Sequence, residues 1–341
     1  MDIPRRTFRW TPGSASESAT RSNLGVLLSE LVADRAMTSR ELVREASRTL
    51  LVWLETRPST WTSNEAALEL SSGLGQLDEA HRWRATVAAY VDALLELAED
   101  GRAGHPVRLR DLVIEECGLW MDGANASDGP WNGVPLAPGA RLPDPGRTAA
   151  AALEGMEPGE VILVHGYSQE IAAALVDAAA RGLRPQVVAS EGGPELHGRR
   201  LVSELAQAGV GTRFVHDLAL FREVAAADRV WLTTESIGAE AMISPLGSTA
   251  IAEEARRREV PVSVPTITRA LAPGGAASMP PWGNQDRWLL WHEAPSEVDV
   301  EPCPWERVPL HLIEHFATER GRMNAGELAL AALRTDAPVR A

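Results

Sequence analysis

Three side chains that could transfer a proton stand at the ends of short apolar segments. His165 closes one segment, Asp217 and Glu235 follow two others, and Tyr167 lies two residues beyond the histidine. Imidazole, carboxylate and phenol groups are suited to general acid–base catalysis. Helix capping or loop hydrogen bonding explains a single Asp or Glu at such a place equally well. We take Glu235, Asp217, Tyr167 and His165 as candidate catalytic residues.

Two turns rich in glycine and serine are suited to holding an anion. Gly166-Tyr167-Ser168 leaves an apolar segment and opens a predicted helix, and Gly247-Ser248 opens another. Backbone N–H groups and the positive end of the helix dipole stabilise an anion at such a helix start. A plain capped turn is the structural alternative at both places. We take Gly166, Ser168, Gly247 and Ser248 as candidate phosphate ligands.

A third turn carries charged side chains of both signs. Glu191 follows the apolar segment 186–190, and Arg199 and Arg200 come about one helical turn into the next segment. A guanidinium that turns back toward the strand end could bind phosphate through two hydrogen bonds. Both arginines could equally be solvated charges on a helix surface. We add Glu191, Arg199 and Arg200 to the candidate ligand-binding residues.

Composition narrows the classes of partner. The 341 residues carry 33 Lys and Arg against 47 Asp and Glu, a net charge of −14, which disfavours nucleic acid. Apolar runs are too short for a membrane span. Two cysteines cannot form a disulfide framework or a cysteine-rich metal site, so we expect a cytoplasmic protein without a metal. Neither a G-x-G-x-x-G nor a Walker sequence is present, and no cofactor is predicted.

The second half of the chain alternates short apolar segments with amphipathic ones. The predicted strands are 161–165, 186–190, 213–216, 229–233, 262–265 and 287–292, with helices between the first five. This alternation predicts an α/β fold with a doubly wound, mostly parallel sheet. Ligands of such sheets bind beyond the carboxyl ends of the strands, which is where the candidate residues lie.

The first half predicts a helical bundle. A capping box at 38–41 opens one helix, a second is expected over 63–77, and a third over 81–98. We expect residues 1–24 to form a flexible N-terminal arm, 25–117 a helical domain, 118–158 an insertion and linker rich in Gly, Pro and Trp, and 159–341 a Rossmann-like ligand-binding domain. The predicted loop 118–146 is either a lid over the site or an insertion that packs on the surface.

The segments of the α/β half resemble those of one family in content and order. The family comprises the regulatory subunits of translation initiation factor 2B, methylthioribose-1-phosphate isomerase and ribose-1,5-bisphosphate isomerase. In the α/β half, the resembling positions are 162–168, Glu191, Pro194, Gly198, Arg199, Arg200, Asp217, 233–235 and 246–248. Residues 308–310 and 317–321 resemble the family's closing helix. In the helical half, residues 70–73 are also similar. The resemblance implies a small phosphorylated metabolite as ligand. It also implies a homodimer formed through the α/β half, or a higher homo-oligomer.

Departures from the family pattern limit which reaction is expected. The isomerases carry a catalytic cysteine where this chain has Gly166, and their partner aspartate is Glu235 here. The family's Asn-Lys pair is replaced by Ser244-Pro245, and the arginine before its proline by Gly193. The isomerisation that uses the cysteine and the aspartate therefore cannot run unchanged.

Three functions remain open at this point. The first is a diverged isomerase-like enzyme that acts on a phosphorylated sugar or nucleotide-like metabolite through Glu235. The second is a non-catalytic ligand-binding or assembly protein, as the initiation factor subunits are. The third is an α/β-hydrolase, because 166–170 approaches the G-x-S-x-G elbow, but Glu170 would crowd that turn.

Overall fold

The computed structural model describes residues 23–56, 62–101, 106–121, 142–143, 145–281, 287–291 and 293–334. The predicted N-terminal arm up to residue 22 lies outside the described residues. So do residues 122–141 and 144, which make up most of the predicted loop 118–146. The two ends of that loop are helical, since one helix runs through Trp120 and the next begins at Pro145.

Five α-helices lie among the described residues of the first half of the chain. They are α1 (Leu24–Ala33), α2 (Ser39–Glu55), α3 (Ser63–His81), α4 (Ala85–Gly101) and α5 (Pro106–Trp120). The predicted capping box at α2 is present: Thr38 Oγ1 accepts from Glu41 N–H, and the Glu41 carboxylate accepts from Thr38 N–H. The helix predicted over 81–98 is wrong at its start, because α3 continues to His81 and turns separate it from α4.

Apolar side chains of all five helices share one core. Trp53, Tyr90 and Trp120 are among its largest buried members, and the rings of Tyr90 and Trp120 pack edge to face with centroids 5.5 Å apart. Burial of aromatic rings of this size dominates the stability of a small bundle. The predicted helical bundle is confirmed.

Ten strands and seven further α-helices lie in the part of the second half that the structure describes. The strands are β1 (Val161–His165), β2 (Gln186–Ser190), β3 (Thr212–Val215), β4 (Arg229–Leu232), β5 (Ser236–Ile237), β6 (Ala241–Pro245), β7 (Val262–Pro265), β8 (Trp305–Pro309), β9 (His315–Thr318) and β10 (Gly321–Met323). The helices are α6 (Pro145–Ala152), α7 (Gln169–Ala180), α8 (His197–Gln207), α9 (Asp217–Glu223), α10 (Ser248–Arg257), α11 (Trp288–Trp291) and α12 (Ala325–Arg334).

A seven-stranded sheet forms the centre of this half, in the order β10-β9-β7-β4-β1-β2-β3. Every neighbouring pair is parallel except β9 with β10, which confirms the predicted mostly parallel sheet. The chain moves outward from β1 to β2 and β3, and then returns to place β4 on the other side of β1. The carboxyl ends of β1 and β4 therefore flank the crevice in which such sheets bind ligands.

A second, antiparallel sheet of order β5-β6-β8 follows β4. Trp305 of β8 packs on Trp83, which lies between α3 and α4, with ring centroids 5.1 Å apart. This contact joins the small sheet to the helical half. The backbone N–H of Ala85 donates to the Glu235 carbonyl oxygen at 3.3 Å, which holds the loop between β4 and β5 at the same boundary.

Two sequence assignments near the carboxyl end are wrong. Residues 288–291, predicted as part of a strand, form the short helix α11, and His292 lies outside the described residues. An apolar run as short as Trp-Leu-Leu-Trp does not distinguish the two structures by periodicity. The segments assigned by resemblance to a closing helix, 308–310 and 317–321, contribute to strands β8, β9 and β10, and the closing helix α12 follows them.

Candidate functional site

A cavity lies where the helical half meets the carboxyl ends of β1, β4 and β7. It has a volume of about 50 Å³ and is bounded by the first turns of α2 and α4 on one side and the start of α7 on the other. Most of the residues that line it are polar, and six of them carry a hydroxyl on an aliphatic carbon: Thr38, Ser39, Thr86, Ser168, Thr234 and Thr266. We call it the interdomain cavity.

Glu235 reaches this cavity from the loop between β4 and β5. Ser39 Oγ donates a hydrogen bond to its carboxylate from the first turn of α2. The residue keeps some accessible surface, but protein atoms enclose the carboxyl, and this burial raises its pKa. Attraction by Arg84 and the hydrogen bond from Ser39 act against that shift. Glu235 is therefore a carboxyl at the edge of the cavity, and its pKa lies above the ordinary value for glutamate.

A buried ion pair crosses the same boundary. Arg40 Nη2 of α2 lies 2.8 Å from Glu170 Oε1 of α7, and the two side chains are only 5 % and 10 % exposed. Both residues line the interdomain cavity. Their charges compensate each other, so the pair adds little net charge to the cavity.

His165 is buried at the end of β1 and does not line the cavity. Its Nδ1 lies 2.7 Å from Ser190 Oγ and its Nε2 lies 2.9 Å from the Leu246 carbonyl oxygen. Because a carbonyl oxygen only accepts, Nε2 carries the proton and Nδ1 accepts from the serine. Burial lowers the pKa of His165, which keeps the ring neutral. The histidine thus ties β1 to β2 and to the loop before α10.

Gly166 occupies a position that only glycine suits. Its φ is +94°, in the left-handed region, and a Cβ there would collide with Thr233 Oγ1 and lie 3.2 Å from Pro245 Cγ. The space beside Gly166 is therefore filled by the side chains of Thr233 and Pro245.

The predicted anion turn at Gly247 lies on the same end of the sheet as Gly166. A Cβ on Gly247 would be 3.6 Å from His165 Nε2, so both glycines adjoin this histidine. Ser248 is buried, and its hydroxyl donates to the Pro245 carbonyl oxygen at 2.7 Å. Neither Gly166, Gly247 nor Ser248 lines the interdomain cavity.

Ser168 and Tyr167 do line the cavity. Ser168 is the N-cap of α7 and accepts from Ile171 N–H at 3.2 Å. The Tyr167 hydroxyl donates to the Glu204 carboxylate at 3.0 Å, and the Arg200 guanidinium stacks 4.4 Å from the centre of its ring. Burial raises the pKa of Tyr167, so the phenol stays protonated.

Arg200 connects the two halves rather than reaching the cavity. Its two terminal nitrogens both donate to the Glu41 carboxylate, one of them at 2.7 Å, and Nε donates to Glu204 at 3.1 Å. This pairing lowers the pKa of Glu41 against the opposing effect of burial. Arg199 is exposed on α8.

Asp217 and Glu191 hold the turn that follows β2. The Asp217 carboxylate accepts from the backbone N–H groups of Gly192 and Gly193, both at 2.8 Å. Glu191 accepts from His216 Nδ1 at 2.7 Å. These two carboxylates lie outside the lining of the interdomain cavity.

Sequence reasoning missed the residues that the helical half contributes. Ser39, Arg40 and Arg84 contact or face carboxylates of the α/β half, but the capping pattern at 38–41 indicated only where a helix begins. Glu195 of the turn between β2 and α8, whose side chain is only 6 % exposed, was also missed. No periodicity predicts which helix start faces the sheet, because that depends on how the two halves dock.

No three His, Cys, Asp or Glu side chains in the described ranges are arranged to hold a metal ion. Within the same ranges, no helix is both long and apolar enough to span a bilayer.

The sequence match to a known family lies in the α/β half of the chain. The sequence model of the initiation factor 2 subunit family matches residues 146–325, which is more than half of the chain. The ribose 1,5-bisphosphate isomerase of Haloterrigena turkmenica is 31 % identical over 116 residues. That segment covers 34 % of this chain and 36 % of the isomerase, so the match spans about a third of the enzyme.

Two solved structures share the fold over nearly the whole chain. The translation initiation factor eIF-2B of Pyrococcus horikoshii OT3 has a TM-score of 0.70 at 14 % identity, covering 89 % of this chain and 97 % of that one. The 5-methylthioribose 1-phosphate isomerase of the same organism has a TM-score of 0.67 at 16 % identity, covering 92 % and 87 %. With more than half its length matched by one family model, this chain belongs to the initiation factor 2 subunit family.

Proposed function

We propose that this chain binds a small phosphorylated metabolite in the interdomain cavity and acts on it as an isomerase-like enzyme, with Glu235 transferring the proton. The observation that carries the proposal is the enclosed Glu235 carboxyl, whose pKa is raised by burial at the edge of the cavity. Removal of a proton next to a carbonyl group is fastest when the pKa of the base lies near the working pH. Perturbed carboxyls in clefts are typical of active sites.

Two helix starts support an anionic ligand. The first turns of α2 and α7 both line the cavity, and helix N-termini favour negative charge. Arg40 and Glu170 compensate each other's charge, so this pair adds little net charge that would oppose an anion. The lining hydroxyls supply donors and acceptors for a ligand rich in hydroxyl groups.

The size of the cavity requires a movement for ligand entry. A volume of about 50 Å³ is far below the roughly 300–1,000 Å³ of ordinary ligand pockets. Three consecutive residues of α2 close it: Ser39 bonds Glu235, Arg40 pairs with Glu170, and Glu41 pairs with Arg200. We propose that this turn of α2 separates from the sheet when ligand enters. Closure afterwards excludes water from the reaction.

The proposed chemistry uses a carboxyl and no thiol. The two cysteines of the chain are Cys117, buried in the helical core with its pKa raised to about 12 by burial, and Cys303 in the segment before β8. Neither lines the cavity. Burial of Cys117 in an apolar core makes its thiol unreactive.

Replacement of Glu235 tests the proposal. The probes are ribose 1,5-bisphosphate and 5-methylthioribose 1-phosphate in D₂O, with deuterium incorporation and product followed by NMR. We expect the parent protein to exchange or convert at least one probe, and Glu235→Gln to lose at least about 100-fold in rate while still binding. Glu253→Gln, on an exposed position of α10, is the control. If the parent protein neither exchanges nor converts either probe, that result contradicts the proposed isomerase-like activity.

The second candidate is a non-catalytic ligand-binding or assembly protein. The filling of the space beside Gly166 by Thr233 favours it, because this is where the isomerases of the family carry their cysteine. Under this function, the probes bind without turnover, and Glu235→Gln changes affinity or assembly only. Light scattering after size-exclusion chromatography measures the assembly, for which we propose a homodimer.

A further inference from the structure

The carboxyl of Glu235 receives its hydrogen bond from the other half of the molecule. Ser39 Oγ of α2 donates to Glu235 Oε2, although the two residues are 196 positions apart in the sequence. Both residues line the interdomain cavity, and Ser39 is buried. Within the described residues, no other hydrogen bond reaches this carboxyl. Glu235 thus has one oxygen bonded to the protein and a second, Oε1, that the protein leaves unbonded.

One short segment holds both partners of this hydrogen bond. Ala85, the first residue of α4, donates its backbone N–H to the Glu235 carbonyl oxygen at 3.3 Å. The preceding residue, Arg84, donates from Nη1 to the Met37 carbonyl oxygen at 2.5 Å. Met37 lies two residues before Ser39, and the capping box of α2 fixes the turn between them. The serine hydroxyl and the carboxyl are therefore held in place by backbone contacts with the same segment.

The hydroxyl of Ser39 is not needed to begin the helix. Thr38 caps α2, because its Oγ1 accepts from the Glu41 backbone N–H at 3.3 Å. Ser39 instead bonds across the boundary, in the same turn from which Arg40 and Glu41 hold α7 and α8. The bond to Glu235 can therefore form only while α2 is docked on the α/β half.

A serine hydroxyl suits both protonation states of a carboxyl. It donates to a carboxylate oxygen and accepts from a protonated one, so the bond persists when the carboxyl gains or loses a proton. The bond to Oε2 also restricts rotation of the Glu235 carboxyl. A catalytic group that is held in one orientation reacts faster than one that rotates freely.

We propose that Ser39 is a positioning residue for Glu235: its hydroxyl holds Oε2, and Oε1 is the oxygen that takes the proton from the ligand and returns it. This inference rests on the proposed function and names the atom that carries it out. The C–H bond beside the ligand's carbonyl breaks, its electron pair moves toward the carbonyl oxygen, and the proton forms an O–H bond at Oε1. The proton then returns to the neighbouring carbon, while the ligand's hydroxyl proton passes to its former carbonyl oxygen.

Removal of the hydroxyl leaves every charged neighbour of Glu235 in place. Four charged side chains lie within electrostatic reach of its carboxyl: Glu41 of α2, Arg84 before α4, Glu170 of α7 and Glu195 of the turn after β2. Burial raises the pKa of Glu235, and the hydrogen bond from Ser39 acts against that rise. Loss of this bond should therefore move the titration of Glu235 to higher pH.

The test compares Ser39→Ala with Ser47→Ala, which removes a buried hydroxyl of the same helix whose partner is Tyr90. Carbon NMR of the full-length protein labelled with ¹³C at the glutamate carboxyl gives the midpoint of Glu235, assigned by its disappearance in Glu235→Gln. We expect Ser39→Ala to lower the acid dissociation constant of Glu235 about tenfold and Ser47→Ala to leave it unchanged. In the deuterium exchange with the two sugar phosphates, Ser39→Ala should lower kcat about tenfold with little change in KM.

The outcomes separate this inference from the proposed function. A parent protein that is inactive with both probes overturns both. An active parent protein in which Ser39→Ala has the same kcat or the same midpoint as Ser47→Ala overturns this inference alone. Alanine is well accepted in a helix, so Ser39→Ala is expected to fold. Ser39→Thr, which keeps a hydroxyl, should retain the parent midpoint and kcat, and losses as large as those of Ser39→Ala would also overturn the inference.

Discussion

At the scale of single residues, Gly166 and Thr233 have complementary sizes. Glycine follows the buried histidine at the end of β1, and the threonine that follows β4 fills the space that a side chain at position 166 would need. By the sequence resemblance, the family's isomerases have the reverse arrangement, with cysteine at the first position and glycine at the second. A cysteine therefore cannot be restored by one substitution.

Gly166→Cys is expected to lower the free energy of unfolding by about 2–4 kcal/mol, because it combines a left-handed φ with a collision. Gly182→Cys, with φ +79° and no atom near the added Cβ, gives the contribution of backbone strain alone. The double variant Gly166→Cys, Thr233→Gly should recover the difference between these two. Urea denaturation measures all three, and equal losses for both single variants would contradict the collision.

Glu195 is expected to make stability fall as the pH rises. Burial raises its pKa from 4.5 to about 7, with Arg84 opposing the shift and Glu235 adding to it. The folded state thus binds the proton more tightly than the unfolded state. The contribution of Glu195 to the free energy of unfolding is fully present below pH 4.5 and is lost as the pH rises through about 7. Glu195→Gln should remove a decline of about 3 kcal/mol, measured by denaturation at several pH values. If stability falls with pH as steeply in this variant as in the parent protein, that result contradicts a raised pKa at Glu195.

At the scale of elements, local signals determine where helices begin. Thr38 with Glu41 and Thr62 with Glu65 form capping boxes, and both pairs are readable from the sequence. Gly73 shows what local signals do not reveal. It lies inside α3, where glycine is unfavourable, yet a Cβ there would be 2.6 Å from Leu24 Cγ of α1.

Gly73→Ala is expected to destabilise the protein by about 1 kcal/mol, since overpacking against Leu24 exceeds the gain in helix propensity. Gly75→Ala is the matched control, because position 75 is two residues away in the same helix and its Cβ would meet no atom within 4 Å. That variant should be stabilised by up to about 1 kcal/mol. Thermal unfolding of both variants measures the difference, and stabilisation of both would mean that α1 does not approach α3 so closely.

At the scale of the whole molecule, the first turn of α2 connects the two halves. Its residues Ser39, Arg40 and Glu41 bond to the loop after β4, to α7 and to α8 respectively. The interdomain cavity lies beneath these contacts. Stability of the boundary and access to the cavity should therefore change together.

Arg40→Met is expected to destabilise the protein by about 3–5 kcal/mol, because Glu170 is left buried without its partner. Amide hydrogen exchange at the start of α7 should accelerate as the two halves separate more often. Arg48→Met is the control, because its pair with Glu45 is exposed on the same helix. Addition of Glu170→Gln to Arg40→Met should restore part of the stability. Exchange at α7 no faster than in the control would show that this pair does not hold the halves together.

The sequence by itself determined the α/β class, the positions of the first five strands of the large sheet to within a residue, and the helix starts with capping boxes. Periodicity and capping depend on neighbours along the chain, so they can be recognised from the sequence alone. It also marked Glu235 as a carboxyl at a strand end.

Only the tertiary structure decided which of the candidate residues meet. Asp217, Glu191 and Arg200 find partners in neighbouring loops and helices, and Ser39 and Arg40 come to the cavity from a helix more than 100 residues earlier in the chain. Hydrogen bonds and burial depend on distances in space, and the docking of the helical half on the sheet sets those distances. The environment that raises the pKa of Glu235 therefore exists only once both halves have folded together.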